Sequence, residues 1–214
     1  MHYFIFPTQD TWISSGSSTI TGESFRDQNF GRDQILEIRK EYFNSSFDHQ
    51  TRALVNFEGT DFTEMSQSIH SGDIVNPKFY LRLYEAEGNS EMTEEYKLAV
   101  QPISASWIEG TGKFGDNPKN TNGCSWENRS NPIGGTETTW SNADGTAAHG
   151  VSVYTQGTTH SSHSVQSFSN QSPDVEVDVT NMVNMWLKEQ NSNYGMLLRF
   201  SGSQETDSET FGHL

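Results

Sequence analysis

Apolar and polar positions alternate with a period of two along much of the chain, and the period changes decisively in one stretch. In residues 175–200, VEVDVTNMVNMWLKEQNSNYGMLLRF, Val175, Val177 and Val179 alternate with Glu176 and Asp178, as one face of a half-buried strand does. Met182, Val183, Trp186 and Leu187 then recur at helical spacing, which predicts a short amphipathic helix. Asp178, Thr180 or Asn181 offers a side-chain oxygen to cap its start. Asn191, Asn193 and Gly195 read as its end, because Asn and Gly tolerate left-handed backbone. A second strand follows, with Met196, Leu198 and Phe200 on one face. This strand–helix–strand unit is expected to plug a β-sandwich built by the rest.

The other strands are read in the same way. Residues 3–6 and 11–13 form one strand interrupted near Pro7, which lacks a ladder donor. Residues 34–39 put Leu36 and Ile38 on one face, and residues 52–57 do so with Ala53, Val55 and Phe57; residues 41–50 between them read as a loose connection. Phe62, Met65 and Ile69 predict a short helical turn within 58–76. The cleanest alternation is 78–84, with Phe79, Leu81 and Leu83 inward and Tyr80, Arg82 and Tyr84 on the opposite face. Residues 96–103 place Tyr96, Leu98 and Val100 together. From 104 to 172 the pattern weakens into a long polar loop region in which only 150–154 reads as a strand. The expectation is a single all-β domain over residues 1–214, with one short α-helix near its C-terminal end.

Composition narrows the function classes. Apolar residues are only 32%, yet aromatic residues reach 12%, which together with the strand patterning argues against disorder. The formal charge of −15 repels nucleic acid and anionic membrane surfaces and disfavours polyanionic sugars. The one cysteine, Cys124, excludes an intrachain disulfide, so packing alone holds the fold. No signal-peptide pattern and no long apolar run for a membrane helix is visible, which favours assembly inside a cell.

Eight motifs in order carry a resemblance. They are Asp10-Thr11-Trp12-Ile13, Asn29-Phe30-Gly31, Arg52-Ala53-Leu54-Val55-Asn56-Phe57, Lys78-Phe79-Tyr80-Leu81-Arg82-Leu83-Tyr84, Ser106-Trp107-Ile108-Glu109-Gly110-Thr111-Gly112, Ser125-Trp126-Glu127-Asn128-Arg129, Val177-Asp178-Val179-Thr180 with Trp186, and Asn193-Tyr194-Gly195-Met196-Leu197-Leu198. Over nearly its whole length the chain resembles the DNRLRE-type domain, a jelly roll related to the disaggregatase repeat and to a carbohydrate-binding module family. The resemblance implies an antiparallel jelly-roll β-sandwich. It also implies either sugar binding in secreted polysaccharide-acting proteins or a place in tailed-bacteriophage virions. The family continues beyond the region matching residues 209–212 into a further aromatic strand, so a chain cut short at Leu214, or a strand supplied from elsewhere, is expected.

Most motif residues read as structural. Asn29 with Gly31, and Asn193 with Gly195, are turn chemistry around a ring that covers the sandwich end. Trp107, beside Gly110, and Trp126 and Trp186 read as core plugs, and Arg129 as either a buried anchor or an ion pair with Glu127. His160 and His163, with His149 nearby, sit in a Ser/Thr-rich loop and read as solvated side chains before metal ligands. No serine-nucleophile or phosphate-loop signature occurs, and Cys124 reads as an inert thiol. No cofactor is expected; the acidic stretches 58–64 and 85–95 leave a structural calcium ion conceivable.

The leading expectation is a non-enzymatic structural or attachment component of a phage virion. It would contact sister subunits as a homo-oligomer, other virion proteins and a host-surface glycan. The alternative is a carbohydrate-binding module of a larger extracellular protein, with Tyr80, Tyr84, Trp140 and Tyr154 as rings that stack on sugar.

Overall fold

Residues 53–55 and 196–198 are unbroken apolar runs, the pattern of strands buried on both faces. They pair with each other in the computed structural model, Met196 opposite Val55, Leu197 opposite Leu54 and Leu198 opposite Ala53. The structure describes residues 2–18, 20–43, 46–84, 86, 96–142, 145–154, 164–168, 174–206 and 212–213. In chain order its elements are β1 (Gln9–Ser14), β2 (Arg39–Phe43), β3 (Ser46–Asn56), α1 (Thr60–His70), β4 (Tyr80–Tyr84), β5 (Tyr96–Pro102), β6 (Asn128–Ser130), β7 (Thr138–Thr139), β8 (Ser164–Phe168), β9 (Asp174–Asp178), α2 (Thr180–Leu187), β10 (Met196–Phe200), α3 (Ser203–Thr206) and β11 (Gly212–His213).

The protein is all-β, built from antiparallel sheets with short helices. The main sheet has seven strands in the order β11-β2-β3-β10-β5-β8, with β1 also paired to β3. β4–β9 and β6–β7 form separate two-stranded sheets. The centre of the main sheet is apolar on both sides. On one face Ala53, Val55, Leu98, Val100, Met196, Leu198 and Phe200 meet Leu81 and Val177 of the β4–β9 ribbon, Met65 of α1, and Met182, Val183, Trp186 and Leu187 of α2. On the other, Ile13, Leu54 and Leu197 meet Ile103, Trp107, Cys124, Trp126, Trp140, Ala148 and Val151 of the loop-rich segment.

The change of period at residue 179 produces the strand-to-helix junction expected. Thr180 anchors it, since its hydroxyl accepts the Phe79 N–H at 2.9 Å while Asp178 Oδ1 accepts the Thr180 N–H at 2.9 Å. Hydrogen bonding from the Thr180 hydroxyl, and then from its N–H, holds the Asp178 carboxyl below its ordinary value. α2 closes earlier than expected. The left-handed residue is Glu189, at φ 54°, and Asn193 and Gly195 shape the next turn instead.

Other expectations are revised by the same geometry. β1 starts at Gln9, and Tyr3, Phe4 and Phe6 are exposed outside any strand. Residues 34–38 are not a strand although Ile38 is buried; the pairing shifts to 39–43, and residues 46–50 are a paired strand and not a loose link. The helical turn around Met65 extends to eleven residues. GVSVY is not a strand, because Gly150 and Val151 take positive φ of 68° and 84°. Only an isolated bridge joins Val153 to Ile103. β6, β7 and β8 lie in the region read as loop. The segment after residue 211 adds β11 to the sheet edge beside β2.

Leu198 is fully buried at the centre of the first core. Leu198→Ala is expected to lower unfolding free energy by about 2–5 kcal/mol, read as a reduced midpoint in urea with an unchanged slope.

Candidate functional site

The loop-rich half has few ladder bonds, so side chains must satisfy its backbone. Asn29 does most of this at one point. It is fully buried, and its amide nitrogen donates to the carbonyls of Glu109 and Cys124 at 2.6 and 2.8 Å. Its amide oxygen accepts from the N–H groups of Gly31 and Gly112 at 3.2 and 2.8 Å. Glycine is required around it. A Cβ on Gly110, which also has φ 86°, would lie 2.2 Å from the Asn122 carbonyl, and one on Gly31 would lie 2.2 Å from the Glu109 carbonyl. Asn193 repeats the device. Its oxygen accepts from Gly195 N–H and its nitrogen donates to the Phe57 carbonyl at 2.7 Å. The middle rings pack as well, Phe30 stacking on Trp12 and Tyr194 lying against the second core, where its carbonyl accepts Trp107 Nε1–H at 2.8 Å.

The side chains capable of chemistry are largely engaged. Cys124 is sealed in the second core, and burial pushes its thiol far above the ordinary range. Glu127 takes Arg26 on one oxygen and His149 on the other. Arg129 therefore does not pair with Glu127; its guanidinium donates to the Ser106 carbonyl at 2.8 Å. Glu205 on α3 lies between Arg52 and Arg199 at 2.6 and 2.8 Å, and Arg52 also covers the Trp126 ring, 4.7 Å from its centroid. Asp10 and Glu109 are neighbours. Burial raises both carboxyls; at Glu109 the Asp10 charge adds to the effect, while the Asp10 N–H donated to Glu109 Oε1 and the nearby Arg32 oppose it. Among the described residues no group of three or more His, Cys, Asp or Glu is placed to hold a metal ion. His160, His163 and most of 85–95 lie outside the described residues.

The candidate sugar-stacking rings separate into two kinds. Trp140 is corrected: it is fully buried in the second core and its Nε1–H donates to the Ser125 carbonyl at 2.8 Å, so it presents no face to a ligand. Trp107, Trp126 and Trp186 are buried as well. Tyr154 is half-buried, with its hydroxyl accepting from the Ser192 backbone, and burial raises its pKa. Tyr80 and Tyr84 stand out from β4 at 55% and 73% exposure.

β4 pairs with β9 so that Tyr80 faces Asp178, Arg82 faces Glu176, and Tyr84 faces Asp174. All six side chains are on the outer face and exposed, while Leu81 and Val177 point into the core. Arg82 bonds to Glu176 and to the Tyr84 hydroxyl, and these bonds, Glu176 first, raise its pKa. The result is a surface of two rings flanking a guanidinium, bordered by three carboxylates. The alternation in 78–84 and 175–179 already placed Arg82, Glu176 and Asp178 outward; their meeting was hidden because the strands lie some ninety residues apart. No family model matches the chain, and no curated protein sequence matches it.

Asn29→Ala strips two donors and one shared acceptor from buried backbone groups. It is expected to cost about 2–4 kcal/mol, measured by chemical unfolding. For Glu109 the sign follows from its raised pKa. The folded state holds the proton more tightly, so stability falls as pH climbs from the ordinary carboxylate range, and the full cost is present at neutral pH. Glu109→Gln keeps an acceptor for the Asp10 N–H. Its melting temperature should exceed that of the parent at pH 7 and converge with it below about pH 4.

Proposed function

We propose that the chain is a jelly-roll building block of a tailed-bacteriophage virion. It would act as a non-enzymatic fibre, collar, neck or tail accessory protein that binds sister subunits and other virion proteins. The observation that carries this reading is the contrast between the two kinds of side chain. Cys124, Glu127 and Glu205 are sealed or tied to neighbours, whereas the β4–β9 outer face presents Tyr80, Arg82 and Tyr84 to solvent. Exposed aromatic and Arg side chains on a rigid support are the residues that anchor contacts. The charge of −15 fits a protein that avoids the packaged nucleic acid. The resemblance to DNRLRE-type domains, which occur in such particles, points the same way.

The same two tyrosines favour a second reading, a carbohydrate-binding module of a secreted polysaccharide-acting protein. Both readings assign contact, not turnover, to this protein.

Cryo-electron microscopy of gradient-purified particles that encode the chain tests the first reading. The expected result is density for the seven-stranded sheet at a symmetric, repeated position. Detection of the chain by mass spectrometry only in the unassembled fraction would overturn it.

A further inference from the structure

Ahead of β1 lies an apolar stretch that neither core absorbs. The pairing of β1 with β3 is extended as far as Thr8, whose N–H donates to the Asn56 carbonyl at 2.9 Å and whose hydroxyl accepts the Glu58 N–H at 3.2 Å. Residues 2–7 make no hydrogen bond to any described residue. Ile5 is half-buried against the first core, but Tyr3, Phe4 and Phe6 are 59%, 68% and 75% exposed. No other run of four described residues exposes three large apolar side chains; Ile20, Phe114 and Ile133 stand singly along the chain. An aromatic side chain carries about 150–250 Å² of surface, so these three leave roughly 300–500 Å² in water. A contiguous patch of that size marks a contact site on a soluble protein.

Charge and area name the occupant. Residues 2–9 hold no Asp, Glu, Lys or Arg, in a chain of net charge −15. A charged partner would find no counter-charge here, so the complementary surface is neutral and apolar. Two copies of this acidic protein repel over most of their surfaces, and a neutral stretch lets them meet with little like charge in the contact. The second copy brings the same rings, which is the self-complementarity a two-fold contact requires. Doubled, the ring surface amounts to about 600–1,000 Å², below the size of a standard stable interface. That area fits a dimer that dissociates on dilution, in keeping with two cores that are each buried within one copy.

Backbone chemistry sets the geometry. Tyr, Phe and Ile favour the strand conformation, and Phe6 is pushed towards it by the following Pro7. Pro7 has no N–H, so a ladder stops there. Two such stretches running antiparallel across a two-fold axis at Ile5 place Phe4 of one copy opposite Phe6 of the other, twice. Side chains alternate, so these four rings share the face away from Ile5, which keeps its place on its own core. Directly opposed aromatic pairs are a favoured cross-strand combination. We propose that residues 3–6 form a self-association strand, pairing with the same residues of a second copy through Phe4 and Phe6. The proposal rests on the sister-subunit contact of the reading above and names the segment that makes it.

Sedimentation of the full chain at concentrations from about 1 μM to about 1 mM reads the contact. A monomer–dimer equilibrium is expected, tightened by added salt, which screens the repulsion between two acidic bodies. A dimer loosened by salt would be held by ion pairs and would overturn the assignment. Phe4→Ser and Phe6→Ser should each raise the dissociation constant about tenfold or more. Both rings are exposed, so the variants should keep the parent melting temperature. Dimerisation equal to the parent in both variants would overturn the site. For the pairing, Phe4→Cys and Phe6→Cys copies are mixed under mild oxidation, the native Cys124 thiol being buried. Opposed residues lie about 4.5–5.5 Å apart at Cα, within disulfide reach. The mixture should therefore cross-link faster than either variant alone, and faster linking within one variant would overturn the register. A chain that stays monomeric throughout, yet occupies repeated positions on particles, would overturn this inference and spare the virion reading. A dimer held by these rings, with the chain absent from particles, would do the reverse.

Discussion

The pairing of β3 with β10 is the constraint on which the rest of the molecule depends. At residues 53–55 and 196–198 successive side chains point to opposite sides, and both sides are dry. Neither run has a solvent face. The sheet therefore needs a cover on each side, and the chain supplies two of different construction. One is regular, a ribbon and two helices lying over Val55 and Leu198; the other is a weave of short turns lying over Leu54 and Leu197. Gly195 allows the pair to form, because any Cβ there would fall 2.3 Å from the Val55 carbonyl.

The two covers meet the same requirement, satisfied backbone polar groups, by different means. The ribbon uses a ladder. The weave uses side chains as surrogate backbone. The amides of Asn29 and Asn193, the indole N–H groups of Trp107 and Trp140, and the guanidinium of Arg129 each close a carbonyl that no strand reaches. That substitution accounts for the composition, with little aliphatic content and many Asn, Gly and Trp residues in the same stretch. It also accounts for a polar-looking region that is nonetheless packed.

The regular half was readable along the chain because its signals are local. Alternation in 78–84 and 175–179 and the helical spacing of Met182, Val183, Trp186 and Leu187 each identify an element and its inward face. For Tyr80 and Tyr84 this was enough to place the rings in solvent. The weave was not readable, because some of its central bonds join positions eighty or more residues apart, as between Asn29 and Glu109 or Cys124. Trp140 shows the difficulty. An indole among Gly, Ser and Asn looks the same in sequence whether it stacks on a ligand or fills a core, and here a carbonyl fifteen residues away decides it. The apparent strand at 150–154 failed for a related reason: its alternation is real, but Gly150 turns left-handed to lie against the Trp126 ring and Arg52.

Asn29 has a chemical lifetime that its apolar neighbours do not. Hydrolysis of its amide to a carboxylate would replace two donors with acceptors, leaving the Glu109 and Cys124 carbonyls opposed by negative charge in a dry site. Slow deamidation at this residue would thus age the protein from within the turns, while the sheet stayed chemically intact.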